Sequence, residues 1–187
     1  LEGEAPSLHG VSLTPAQATF VKEILPNCAD SSAIQNLAKA LEDARSVFPT
    51  VDGDKLVPAA FELFRSQAER YQERTEGTET GKLDYRDYRT EFRDHVAELK
   101  SKTAVLMQGL AGREPKVGDV SLSVEAAAYL KETVLQHARS AMSIDNLTRA
   151  VAAVGKARGG AIDGATVDDF KTIVGDYRGQ WPDLKFF

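Results

Sequence analysis

Cysteine occurs once, at Cys28, which excludes an intramolecular disulfide and makes a reducing compartment the simplest setting. Long apolar runs are missing too. No stretch approaches the roughly 20 apolar residues that span a bilayer, and no basic segment leads into an apolar one at the start. Neither a membrane-inserted helix nor a signal peptide is therefore expected in this sequence; the composition is cytoplasmic in type and leaves the compartment unknown. Charge of one sign is not in excess either: 23 Lys and Arg stand interspersed with 28 Asp and Glu, a net charge of -5. That balance argues against nucleic acid or an anionic membrane surface as the main partner. Alternation of β-branched and polar residues between turns is absent over any useful length, so the expected fold class is all-α.

What is present suffices for a packed core. Hydrophobic residues make up 42% and charged residues 27% of 187 positions, too apolar for intrinsic disorder and enough for one domain or two small ones. Leu1 to Gly10 is periodic in nothing and reads as an irregular leader, and without an initiator methionine the sequence is expected to be a piece of a longer protein.

The organising feature is internal similarity. Shifted by 109 positions, VSLTPAQATFVKE (Val11 to Glu23) aligns with VSLSVEAAAYLKE (Val120 to Glu132), with six of thirteen pairs identical. One residue of slippage then brings Ile34 to Leu41 onto Ile144 to Val151, and another brings Val51-Asp52-Gly53 onto Ile162-Asp163-Gly164. Such periodicity, looked for first, decides the fold reading. The expected architecture is a helical bundle of two duplicated three-helix units joined by a long central helix. Its divisions are a leader (1–10), a first repeat (11–76), the central helix (82–112) and a second repeat with an aromatic C-terminal segment (119–187).

In the first repeat, Thr14 caps a helix with Pro15 at its first position and Gln17 completing a capping box; Phe20, Val21, Ile24 and Leu25 form its apolar face and Pro26 ends it. Ile34, Leu37, Leu41, Ala44, Val47 and Phe48 stripe a second helix, and Leu56, Val57, Ala60, Phe61, Phe64, Ala68 and Tyr71 a third. Ser123 caps the second repeat, whose faces are Tyr129, Leu130 and Val134, then Ile144, Leu147, Val151 and Val154, then Val167, Phe170, Ile173, Val174 and Tyr177. Between the repeats, Tyr85, Tyr88, Phe92, Val96, Leu99, Thr103, Leu106 and Leu110 recur at spacings of three and four, which requires a helix of about seven turns.

Chemistry-bearing motifs fail on spacing. Asp52-Gly53-Asp54 starts like a calcium loop, but the fifth, sixth and twelfth positions are Leu56, Val57 and Leu63 where oxygen ligands and glycine are needed. Gly155-Lys156-Ala157-Arg158-Gly159-Gly160 lacks the order of a phosphate-binding loop and reads as a glycine-capped helix end, its cations complementing the dipole. His9, His95 and His137 are not spaced to serve Cys28 or a serine as a catalytic base. Glu91, His95 and Glu98 depart from the Glu-x-x-His pattern of di-iron bundles, and Glu91 with His95 reads as an i,i+4 pair. No cofactor, metal site or catalytic residue is expected, and the enzyme reading is disfavoured.

Two segments invite a binding role. Tyr85, Arg86, Tyr88, Arg89, Phe92 and Arg93 set aromatics on one stripe and arginines on the next, the composition of interface hot spots, although an intramolecular seam with flanking charge is the favoured reading of the same pattern. Trp181 sits in a C-terminal run rich in aromatics. The leading expectation is a non-enzymatic protein-protein interaction module with an unidentified protein partner. The alternatives are a helical enzyme or small-ligand domain with a pocket between the repeats, and a structural or assembly segment of a secreted or surface protein.

Overall fold

In a computed structural model of the chain, residues 6–48, 56–75 and 82–162 are described below. These residues are mostly helical, with six α-helices and two small sheets among them. The all-α expectation is corrected to that extent. The strands, β1 (Ser7–Leu8), β2 (Val11–Ser12), β3 (Lys116–Val117), β4 (Val120–Leu122) and β5 (Ala161–Ile162), are two or three residues long, too short for alternation to register in a sequence. The Asp-Gly turns at 52–53 and 163–164, the third helix of the second repeat and the segment holding Trp181 lie outside the described residues. The chain divides into two compact units, Leu1–Ala97 and Glu98–Phe187.

The first unit opens with a hairpin, so the leader is not irregular throughout. β1 and β2 pair antiparallel, Ser7 with Ser12 and Leu8 with Val11, and the Leu13 N–H donates to the Pro6 carbonyl at 2.8 Å. The two turn residues, His9 and Gly10, have φ of 47° and 84°, the signs a type I′ turn demands and the reason the hairpin stays tight. Thr14 then caps α1 (Pro15–Ile24): its hydroxyl accepts from the Gln17 N–H at 3.2 Å, and the Gln17 side chain accepts from the Thr14 N–H at 2.9 Å. Pro26 falls in a short 3-10 turn that closes the helix. Asp30 caps α2 (Ser31–Arg45) through the Ala33 N–H, and α2 buries Ala33, Leu37, Ala38, Leu41 and Ala44. α3 (Pro58–Thr75) follows, burying Phe61, Leu63, Phe64, Ala68 and Tyr71.

The segment leading into the long helix α4 (Arg86–Ala111) is tied to the α1–α2 turn. Leu83 donates to the Asn27 carbonyl at 2.8 Å and accepts from the Ala29 N–H at 2.9 Å, while the Asn36 amide reaches the Asp84 carbonyl at 3.0 Å. Tyr85 absorbs the change of direction at φ 56°, a conformation rare for a bulky side chain. It is held there from both sides: the ring is fully buried, 5.3 Å from that of Tyr71 and 5.8 Å from that of Tyr88, and the hydroxyl accepts from the Gln72 amide at 2.8 Å.

The second unit contains residues Glu98 to Ala111 of α4, then a hairpin of β3 and β4, with Lys116 opposite Ser121 and Val117 opposite Val120. Here Gly118 has φ 58° and Asp119 does not, the signs of a type II′ turn. The Leu122 N–H donates to the Pro115 carbonyl at 2.9 Å. Ser123 caps α5 (Val124–His137) through the Ala126 N–H, and Ser140 caps α6 (Ala141–Ala157) through that of Ser143. α6 ends in the glycine cap: the Gly160 N–H returns to the Gly155 carbonyl at 2.7 Å, with Gly159 and Gly160 at φ 83° and 99°. The chain then enters β5, which pairs parallel with β4 to complete a three-stranded sheet in the order β3-β4-β5.

Two glycines set how closely these layers approach. A Cβ on Gly155 would stand 2.3 and 2.5 Å from the two methyl carbons of Val120, so α6 lies directly on β4. A Cβ on Gly109 would stand 2.5 Å from the Lys116 carbonyl oxygen, so the end of α4 lies against the backbone of β3. Around these contacts the core collects Leu106, Leu110, Val117, Val120, Leu122, Leu130, Val134, Ile144, Leu147 and Val151.

Candidate functional site

The Tyr/Arg stripe at the start of α4 separates into two environments. Tyr85, Tyr88 and Phe92 are buried in the first unit, where they form the seam with α3. Phe64 meets Tyr88 and Phe92 edge-on at 6.2 and 6.5 Å, and the Tyr88 hydroxyl donates to the Phe64 carbonyl at 3.2 Å. Burial pushes the Tyr88 hydroxyl well above the ordinary tyrosine range and that of Tyr85 up to about 12, so both stay neutral donors or acceptors inside the core. Of the two readings of the stripe, the aromatics take the intramolecular seam: the same spacing that stripes the helix points these rings at α3. Arg86 and Arg93 are exposed, and Arg86 pairs with Asp84 at 3.4 Å. Arg89 is half-buried, with its Nε buried and lacking a hydrogen-bond partner.

Beside that seam is a polar cleft of about 340 Å³ lined by Gln67, Arg70, Glu73, Arg74, Glu91 and His95, with Tyr88 and Phe92 beneath. Glu91 pairs there with Arg74 of α3 at 2.9 Å, and the Arg74 guanidinium lies 5.8 Å from the Tyr71 ring centre. That pair offsets one charge of each sign in the cleft. Among the described residues no cluster of three or more His, Cys, Asp or Glu could hold a metal ion. Cys28 is buried and its thiol is pushed up, first by desolvation and then by Asp30, which keeps it protonated and a poor nucleophile.

The second unit carries a larger and more apolar cleft, of about 550 Å³, between α4, β3 and the start of α6. Its volume lies within the range of ligand pockets. Leu106, Val117 and Ile144 are buried core residues whose outer surfaces form the floor. Val105 stands on one wall with 71% of its surface exposed, and Val124 and Met142 are comparably exposed elsewhere among the described residues. Gly109 and Gly118 add backbone without side chains, leaving the space between α4 and β3 open.

The polar part of this lining holds two lysines, Lys102 and Lys116, and one carboxylate, Asp145. Lys102 hydrogen-bonds the Asp145 carboxylate across from α4 to α6, and Glu98 approaches the same ammonium at 3.5 Å. The bond to Asp145, ahead of the attraction of both carboxylates, raises the Lys102 pKa above its ordinary value and keeps the group charged. Lys116 on β3 is exposed and makes no ion pair among the described residues. Ser101, Gln108 and Thr148 supply neutral hydrogen-bonding groups at the margin.

Sequence reasoning missed this cleft, though one signal was present. Val105 falls off the stripe of Leu99, Thr103, Leu106 and Leu110 that α4 buries, and an aliphatic residue off the buried face is what a binding surface needs. No helix among the described residues is long and apolar enough to cross a membrane. No family model matches the sequence, and neither a curated protein nor a solved structure matches it.

Proposed function

We propose that the chain is a non-enzymatic helical interaction module, built from two copies of one unit, whose second copy receives a protein partner in the cleft between α4, β3 and α6. The duplication is supported by geometry as well as by sequence. The 109-residue shift that aligns Val11 to Glu23 with Val120 to Glu132 also carries β1 onto β3, β2 onto β4, the Pro6–Leu13 hydrogen bond onto the Pro115–Leu122 bond and the Thr14 cap onto the Ser123 cap. After the one-residue slippage, the Asp30 cap of α2 corresponds to the Ser140 cap of α6. Two unrelated helix pairs would have no reason to share hairpin register and cap position together.

The observation that carries the binding reading is Val105, 71% exposed above a floor of Leu106, Val117 and Ile144. Exposed aliphatic surface next to a concave apolar floor gains solvation free energy only when covered, and a partner side chain inserted there would bury both. The Arg86, Arg89 and Arg93 stripe is a secondary contact in this proposal, because its aromatic neighbours are committed to the core.

The test is selection of a displayed random-peptide library on the intact chain, followed by affinity measurement on Val105→Glu and on the triple variant of Arg86, Arg89 and Arg93 to alanine. Selected peptides are expected to lose about tenfold or more in affinity for V105E, the worth of one buried valine, and less for the arginine variant. Peptides that bind V105E as tightly as the parent chain, or a library that yields no binder, would refute the reading.

A further inference from the structure

The polar cleft of the first unit differs in charge from one end to the other. We infer that Gln67 and Arg70 of α3 and His95 of α4 bind a small monocarboxylate with an apolar body, at the end of that cleft away from the Arg74–Glu91 pair. The site lies within the first unit and does not depend on the cleft between α4, β3 and α6 receiving a partner.

The register of the two helices leads there. Tyr71 meets the rings of Tyr85 and Tyr88, and Phe64 those of Tyr88 and Phe92, so α3 and the first half of α4 run antiparallel. Beside this seam Arg74 and Glu91 make one rung, at 2.9 Å. One turn back along α3 and one turn forward along α4 lie Arg70 and His95, which therefore form the next rung, about 6 Å further along the axes. The two rungs differ in kind. The first is an ion pair closed on itself, whereas the second sets a guanidinium opposite an imidazole, and neither group makes an ion pair among the described residues. Gln67, one turn before Arg70, adds an amide at the same end. Glu73 is the remaining charge of the lining. At about 3.6 residues per turn it falls further from the buried stripe of Phe64, Ala68 and Tyr71 than Arg70 does, on the outer rim and toward the Arg74 end.

The chemistry of this end selects the ligand. A guanidinium holds a planar carboxylate through two parallel N–H bonds, and an imidazole has an N–H to donate in either protonation state. Across the whole lining, Arg70 and Arg74 are balanced by Glu73 and Glu91, so a single negative charge is tolerated at the Arg70 end and a dianion such as phosphate is repelled by the two carboxylates. Tyr88 and Phe92 lie beneath, which gives an apolar body a surface to cover. A volume of about 340 Å³ is at the small end of ligand pockets and suits a compact molecule better than a protein segment.

Titration of the intact chain with sodium benzoate at low ionic strength, followed by amide and imidazole NMR shifts, tests this. Millimolar benzoate is expected to shift the His95 ring and the amides around Arg70 saturably. Arg70→Gln and His95→Ala should each weaken binding about two- to fivefold, as loss of one exposed charged contact allows. Glu91→Gln should strengthen it, because a carboxylate leaves the lining and Arg74 is released to the anion. All three positions are exposed, and far-ultraviolet circular dichroism checks that each variant keeps its helix content. No saturable shift at millimolar benzoate, affinity unchanged in both R70Q and H95A, or weaker binding by E91Q would overturn the inference. So would inorganic phosphate binding as tightly as benzoate. A library-selected peptide that shifts these same amides where benzoate does not would assign the cleft to a protein partner and overturn the small-molecule reading.

Discussion

Replacing Gly155 by alanine sets two well-separated effects against each other. Alanine at an exposed helical position stabilises by up to about 1 kcal/mol relative to glycine. Here the added Cβ would stand 2.3 and 2.5 Å from the Val120 methyl carbons, against an optimal carbon separation of about 3.5–4.0 Å, so one partner must move by more than 1 Å. Val120 has little room to do so. It is 5% exposed, β-branched and placed in β4, the strand paired on both sides. Overpacking of this kind costs about 1–3 kcal/mol, and the depth of the overlap puts Gly155 at the upper end. The expected net loss for G155A is about 2 kcal/mol.

The companion variant Val120→Ala removes two methyl groups and should lose about 2 kcal/mol alone. In the double variant the closest overlaps vanish, leaving a tight contact with the Val120 Cβ at 3.0 Å, while the helix-propensity gain remains. Its loss should therefore be about 2 kcal/mol rather than the 4 expected from addition, a coupling of about 2 kcal/mol. Urea denaturation followed by far-ultraviolet circular dichroism measures all four corners. A G155A variant more stable than the parent, or strictly additive losses, would show that α6 does not lie on β4 as described.

Gly109→Ala should also destabilise, by about 1–3 kcal/mol, because its Cβ would meet a backbone oxygen of Lys116 at 2.5 Å and no rotamer change can relieve it; thermal unfolding gives the answer. Thr103 is fully buried with its hydroxyl oxygen lacking a hydrogen-bond partner, so Thr103→Val should raise stability by about 1 kcal/mol, and a loss in urea titration would contradict the burial. The folded pKa of Tyr85 lies near 12, above the unfolded value of 10, so the folded state holds its proton longer. The resulting stability is complete below pH 10 and falls as pH rises toward 12. Tyrosinate absorbance should therefore show Tyr85 and Tyr88 ionising together with loss of helix, and Tyr85→Phe should shift that alkaline transition upward; early ionisation in the folded protein would contradict it.

Much of the helical framework was legible because its signals are local. Thr14 with Gln17 makes a capping box wherever the chain goes next, and the spacing from Tyr85 to Leu110 admits only a helix. The hairpins escaped because two-residue strands have no period, although His9-Gly10 and Gly118-Asp119 between apolar residues are turn signals in themselves. The aromatic stripe of α4 was legible, and its sequence left a seam and a docking face both open. Periodicity marks a buried face without saying whether this chain or another buries it, and Phe64 and Tyr71 of α3 do so here. The cleft is assembled from α4, β3 and α6, and no spacing within one segment encodes a concavity made by three.

Whether partners enter the second unit's cleft is read directly by methyl-detected NMR on the chain bound to its tightest selected peptide. Intermolecular Overhauser contacts are expected from the peptide to the methyl groups of Val105, Leu106, Val117 and Ile144. Contacts confined to methyl groups of the first unit, with those four resonances unmoved, would contradict it.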